Sequence, residues 1–213
     1  GGFIASKIAS RFISQGFHVT GVDDFSGGKR ENVPDGIVLV EGDLASKETI
    51  EKLPSDISVI LHLAGQSSGE MSFDDPKSDL SKNGVSTLNL IQYGIAIGAK
   101  KLVFASSVSI YGWVGDRKLS ETDIADPTSC YGVSKLAAEG YLRIYSGQLP
   151  YVNMRMFNVY GPGQDLDNLR QGMVSIYVAQ AVSFQKTPKL TNYLRLLQKL
   201  LPKRGRVNLQ KNC

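Results

Sequence analysis

Cysteine is nearly absent from this chain of 213 residues: there are two, Cys130 and Cys213, and no Cys-x-x-Cys pair. That excludes a disulfide framework and a cysteine-based zinc site. Histidine is equally scarce. His18 and His62 stand apart in apolar surroundings, which suits core or strand-end positions better than ligation, so no metal is expected. No apolar run reaches the roughly 18–20 residues of a membrane span. No charged-then-apolar leader opens the chain, so a cytoplasmic protein with no membrane partner is expected. Acid is missing from the last part altogether. All 20 Asp and Glu lie at or before Asp167, with 15 of the 24 Lys and Arg, so residues 1–167 are net −5. The remaining nine basic residues make 168–213 net +9. That basic end has only three aromatics, Tyr177, Phe184 and Tyr193, and no RNA-binding motif, so its charge alone does not make nucleic acid an expected partner.

What is present is a regular alternation. FIASKIASRFISQG has apolar residues at helical spacing and stops at Gly16. FHVTGVDD, GIVLVEGD (36–43) and ISVILHLAG (57–65) are short, almost continuously apolar runs, the pattern of parallel strands covered on both faces. NGVSTLNLIQYGIAIG (83–98) reads as a helix, KKLVFASS (100–107) as a strand, YGVSKLAAEGYLRIYS (131–146) as a helix and PYVNMRMFNVYG (150–161) as a strand running into a loop. Strands alternating with helices at this spacing predict an α/β fold with a doubly wound parallel sheet of the Rossmann type.

Three local patterns carry chemistry. Gly1-Gly2 opens a helix, where glycine lets backbone approach a pyrophosphate and the helix N-terminus favours its charge; Ala5 takes the close-packing position. Asp23 ends the next strand about 20 residues on, where a carboxylate accepts from ribose hydroxyls and repels a 2′-phosphate, favouring NAD over NADP. Lys29 and Arg30 nearby keep NADP in play, and Asp23-Asp24 is also a turn signal. Asp43-Leu44 suits either the adenine edge or a helix cap. Finally, Tyr131 and Lys135 lie at i and i+4, one face of a helix. An ammonium there is expected to pull the phenol below its usual pKa of about 10, readying it to take a proton from a sugar hydroxyl. Ser107, ending its strand, is placed to hydrogen-bond the same substrate oxygen.

Taken together and in this order, GGFIAS, GVDDFSGGKREN, EGDL, ILHLAGQSS, NGVSTLNLI, FASSVSIYG, PTSCYGVSKLAAE and MRMFNVYGPGQD resemble an extended short-chain dehydrogenase/reductase. Within it, residues 1–185 are most similar to the NAD-dependent epimerase/dehydratase family acting on nucleotide sugars, UDP-glucose 4-epimerase-like members in particular. The resemblance implies NAD as cofactor and a nucleotide-sugar substrate. It implies Gly2, Phe3 and Ile4 on the pyrophosphate, Asp23 on the adenosine ribose with Asp24, Phe25 and Ser26 beside it, and Asp43 and Leu44 flanking adenine. Leu63, Ala64 and Gly65 would pass under the cofactor, Asn83 would fix the adjoining loop, and Phe157 would also face the cofactor. Ser107, Tyr131 and Lys135 match the catalytic triad, with Lys135 also gripping the nicotinamide ribose, and Asn158 would meet the substrate diphosphate.

The departures shape the expectation. The first strand and first glycine of the pattern are not found, and Ser86 stands where the family usually has glycine. Val108 and Ser109 stand where sugar-nucleotide dehydratases carry an Asp-Glu pair. Elimination of water then lacks its acid and base, and epimerisation is favoured. Residues 1–165 are expected to form the NAD-binding domain, 166–188 the start of a substrate-binding lobe, and 189–213 an atypical, poorly ordered basic tail in which LTNYLRLLQKLL reads as an amphipathic helix. Three functions stay open: a 4-epimerase, a related NAD-dependent reductase or dehydratase, and a truncated dinucleotide-binding module without catalysis. A homodimer through the helices at 83–98 and 131–146 is a further implication of the resemblance.

Overall fold

The computed structural model describes residues 1–168, 170 and 172–185; residues 189–213, with the amphipathic helix read there, lie outside them. Helix α1 (Phe3–Ser14) leads to strand β1 (Thr20–Asp23), β2 (Val38–Glu41), α2 (Lys47–Glu51) and β3 (Val59–His62). Next come α3 (Pro76–Leu80), a π-helical turn (Ser81–Val85) and α4 (Ser86–Ala96). Strand β4 (Lys101–Ser107), a 3₁₀ turn (Val108–Tyr111), α5 (Cys130–Ile144), β5 (Tyr151–Met156) and α6 (Met173–Gln185) complete the order. The alternation is that of an α/β fold, and every strand pairing is parallel.

The strands form two pieces. β1 pairs with β2, and β4 lies between β3 and β5, with His62 opposite Phe104 and Ser107 opposite Met156. No described strand pairs with both β1 and β3, and β4 alone among the described strands has a neighbour on each edge. Leu102 and Phe104 there are fully buried, whereas Val38, Val59 and Leu61 are exposed. The apolar runs predicted strands correctly but not which of them have neighbours.

Local physics explains the site-bearing elements. α5 buries Tyr131, Lys135, Ala138 and Leu142, one stripe at helical spacing, so the periodicity that docks the helix also turns Tyr131 and Lys135 inward. Ser129 caps it, its side chain accepting from the Gly132 N–H at 3.1 Å. α4 buries Thr87, Leu90, Ile91 and Gly94 in the same way. α3, not foreseen from the sequence, starts at Asp75, whose carboxylate accepts from the Ser78 N–H at 2.9 Å with Pro76 in the first turn. Five residues of α-helix followed by a π turn carry no long apolar period, which is why periodicity missed them.

Leu44, Ile60, Leu90, Ile91, Ala99, Leu102, Phe104, Ala138, Leu142 and Leu149 form the core, with Val22 of β1 packed against it. Leu102→Ala should therefore cost about 2–5 kcal/mol through lost burial and the cavity left behind. Urea denaturation followed by circular dichroism should show the lowered midpoint with an unchanged slope.

Candidate active site

The three residues singled out for catalysis meet at the C-terminal end of β4. Ser107 is the last residue of β4, and its hydroxyl accepts from the Ser109 N–H at 3.1 Å, so the strand turns sharply into the 3₁₀ turn. Tyr131 and Lys135 come from the first turns of α5. The helix can approach because residue 132 is glycine: a Cβ there would lie 2.6 Å from the Ser109 carbonyl oxygen. Tyr131 is 8 % exposed and Lys135 4 %. The Lys135 ammonium sits 4.8 Å from the Phe104 ring centroid and 5.7 Å from that of Tyr131.

Gly65 and Asn83 close the other side. Gly65 has φ +142°, and a Cβ on it would stand 2.3 Å from Asn83 Oδ1 and 3.4 Å from Lys135 Nζ. The loop after β3 thus runs directly against both polar groups, an approach open to glycine alone. The Asn83 amide donates to Asp79 Oδ1 at 3.2 Å and to the Ser134 hydroxyl at 3.1 Å, and Ser134 Oγ donates to Asp79 Oδ2 at 2.6 Å. Asn83 Oδ1 is buried with no partner among the described residues.

Burial dominates the electrostatics. It pushes the Lys135 ammonium down to about 8, opposed by the charge of Asp79. It pushes His62 down to about 3, with Lys135 acting in the same direction. The Tyr131 phenol is raised, first by burial; a hydrogen bond with Ser107 works against this and Asp79 adds to it. This corrects the expectation of a lowered phenol: Lys135 faces the ring, and its charge does not overcome desolvation.

A second cluster forms around the start of α1. Gly2 caps this 12-residue helix without a side-chain bond and its first turn holds no acid, so the opening N–H groups are available to an anion. Asp23 accepts from the Gly1 amino group at 3.0 Å and from the Phe25 N–H at 2.8 Å, holding the end of β1 against the helix start. Phe25 takes the left-handed conformation, φ 54°, with Arg30 stacked 4.3 Å from its ring. Asp24 and Ser26 both meet Lys82 from the π turn. Lys29 and Arg30, the residues that kept a 2′-phosphate in view, are each paired, with Asp165 and Glu41. This donor set, open amides at a helix start beside a carboxylate with its cations neutralised, fits a dinucleotide without a 2′-phosphate.

Other predicted positions are more scattered. Asp43 accepts from the Ala45 N–H at 2.8 Å in an Asx turn; Ser46 and not Asp43 stands at the N-cap of α2, so Asp43 is not the helix cap. Leu44 packs into the core, and its carbonyl accepts from Asn89. Leu63 and Ala64 are half-buried after β3, while Phe157 and Asn158 stand exposed beyond β5.

Comparison with known proteins bears on this arrangement. The family model for the NAD dependent epimerase/dehydratase family matches residues 1–204. The chain is 34% identical over 198 residues to a UDP-glucose 4-epimerase of Mycolicibacterium smegmatis, covering 89% of this chain and 63% of that one. The chain belongs to the NAD-dependent epimerase/dehydratase family. Among solved structures it is similar to Thermus thermophilus UDP-glucose 4-epimerase in complex with NAD, with TM-score 0.77, 37% identity, and 83% and 58% of the two chains covered. It is likewise similar to Thermotoga maritima UDP-glucose 4-epimerase with UDP-glucose, with TM-score 0.79, 34% identity, and 83% and 59% covered. The chain spans about six tenths of the length of these relatives.

In this family member the residues the sequence reading missed are Asp79 and Ser134. Their signals were present but mute: Asp79 precedes Asn83 by one helical turn, and Ser134 lies inside the YGVSK stretch. No group of three or more His, Cys, Asp or Glu fit for a metal occurs among the described residues. His62 is the buried core residue it was expected to be, its Nε2 2.9 Å from the Thr87 hydroxyl. Because its folded pKa is depressed, its contribution to stability is present above pH 6.5 and is lost as pH falls toward 3. The loss approaches about 1.4 kcal/mol per pH unit. Urea titrations at about pH 7.5 and about pH 5.5 should show wild type losing more stability than His62→Gln.

Proposed function

We propose that the chain is the cofactor-binding core of a nucleotide-sugar 4-epimerase of the UDP-hexose type. One observation carries the reading: Ser107, Tyr131 and Lys135, from two elements, converge beside Gly65 and Asn83. The relatives named as UDP-glucose 4-epimerases support the substrate class. The cofactor is NAD, held by the open amides at Gly2, Phe3 and Ile4 and by Asp23. Asp24, Phe25 and Ser26 would hold its ribose side, Leu63, Ala64, Gly65, Asn83 and Phe157 would contact it further along, and Asp43 and Leu44 would flank its adenine. When bound, NAD supplies a reversible hydride acceptor.

The chain's own residues supply the proton chemistry. The Tyr131 phenol exchanges the proton of the sugar hydroxyl, and Ser107 holds the same oxygen. Lys135 places positive charge beside the phenol and would hold the nicotinamide ribose. A phenol raised by burial stays protonated at neutral pH, so it holds the proton that it returns in the second half of an epimerisation; taking that proton in the first half requires the phenolate, the form that the charge of Lys135 favours. Val108 and Ser109, which begin the 3₁₀ turn, give no acid–base pair for loss of water, which favours epimerisation over dehydration. Asn158 meets the substrate diphosphate.

Residues 1–165 form the dinucleotide-binding domain in this reading, and 166–188 begin the substrate lobe. Arg170 lies past that boundary. It ties to Glu70 and Asp74 at 2.9 and 2.8 Å, drawing the segment after Asp165 back across the loop beyond β3. No helix among the described residues is long and apolar enough to cross a membrane, and cytoplasmic location belongs to this proposal. So does a homodimer through α4 and α5: Leu80, Val133 and Ile144 leave apolar surface exposed on α3 and α5.

Tyr131→Phe should reduce interconversion of UDP-glucose and UDP-galactose by about 10²–10⁴-fold while NAD binding, followed by calorimetry, stays within about twofold. Near-normal turnover in this variant defeats the acid–base assignment. Val133→Arg should convert a dimer to a monomer in sedimentation velocity, and an unchanged profile removes the helix-pair interface.

A further inference from the structure

A carboxylate lies buried beside the candidate pair with no part in the chemistry above. Asp79, from α3, is 1 % exposed. Among the described residues its oxygens are satisfied only by neutral donors: Ser134 Oγ at 2.6 Å and the Asn83 amide at 3.2 Å. Ser134 is the residue before Lys135, and its hydroxyl also lies 3.0 Å from the Tyr131 carbonyl oxygen. The free oxygen of Asn83 points at the Gly65 loop, beside the Lys135 ammonium. A carboxylate and an ammonium thus lie in one buried cluster: Asp79 is bonded by Asn83 and Ser134, and Asn83 Oδ1 and Lys135 Nζ both face Gly65. A lone charge of either sign there would face a desolvation cost of several kcal/mol.

The other groups facing Lys135 do not supply negative charge. His62, from β3, is held neutral by burial and by the charge of Lys135, and repels that charge when protonated. Phe104, from β4, and Tyr131, on the same helix, present rings. Glu139, one turn along α5, is engaged by Arg155 and Ser106. Asp79 alone among the described residues acts on Lys135 to favour its charged form.

We propose that Asp79 is a positioning residue, the buried counter-charge that keeps Lys135 protonated beside Tyr131, with Ser134 and Asn83 fixing the spacing of the two charges. The inference rests on the reading of Tyr131 and Lys135 as the acid–base pair for its bearing on turnover. The charge coupling itself is tested without turnover. Removing the negative charge should lower the Lys135 titration midpoint, leaving less ammonium at neutral pH to act on the phenol.

The experiment is carbon- and nitrogen-detected NMR on the full chain labelled in lysine and aspartate, with Lys135 and Asp79 assigned by Lys135→Arg and Asp79→Asn. In wild type, the Asp79 carboxyl carbon should show a step at the midpoint of the Lys135 side chain; its absence overturns the proposal. Asp79→Asn keeps an acceptor for Ser134, and should move the Lys135 midpoint down by about one pH unit or more. Asp79→Glu should restore it. A folded Asp79→Asn protein with an unmoved Lys135 midpoint, even one of lower thermal stability, reduces Asp79 to a packing role and overturns the proposal. Should Tyr131→Phe retain activity while the coupled titration is observed, the function fails and the counter-charge stands; the reverse result separates them the other way.

Discussion

The docking of α5 onto the end of β4 is the contact on which the candidate site depends. It requires a helix to pass within van der Waals distance of the Ser109 carbonyl, which only Gly132 permits. Ala138 and Leu142, buried to 0 and 1 % exposure, continue the contact along the helix. Between them Glu139 receives Arg155 from β5 and Ser106 from β4, so helix and two strands are cross-tied by a partly buried ion pair. Loosening any of these moves Tyr131 and Lys135 relative to Ser107, because all three are fixed to the same two elements.

Close docking has an electrostatic consequence. It removes water from a region holding a lysine, an aspartate, a histidine and a tyrosine, and each responds as desolvation requires. The lysine and histidine fall, the aspartate and tyrosine rise. The groups then correct one another: Asp79 sustains the ammonium, and Ser107 moderates the phenol. A dry site of this kind makes each remaining interaction stronger than its counterpart in water. The arrangement around Asp23 is different in kind. It is partly open, built on backbone N–H groups and a short carboxylate loop, and selects by shape and charge sign.

Much of this was legible in order along the chain. Apolar runs and helical stripes located α1, α4, α5 and all five strands within a few residues, because burial of one face imposes the period. The YGVSK spacing placed Tyr131 and Lys135 on one face, and that face proved to be the buried one. What escaped were the elements without a period, α2, α3 and the π turn, and α6 with its nearly uniform apolarity. The separation into two sheets escaped as well, since an apolar strand looks the same whether or not a neighbour pairs with its edge. Asp79 could not be distinguished from the acids beside it, Asp74 and Asp75, of which one is salt-bridged at the surface and the other caps a helix.

The sequence by itself determined the succession of strands and helices, the helix start at Gly2 and the shared face of Tyr131 and Lys135. Those follow from periodicity and backbone freedom, which act over a few neighbouring residues. Tertiary structure alone decided that the phenol is raised and not lowered, that Lys29 and Arg30 are already paired, and that Asp79 lies within reach of Lys135's charge. Desolvation and Coulomb interaction depend on distances between segments far apart in the chain, and those distances exist only once the chain has folded.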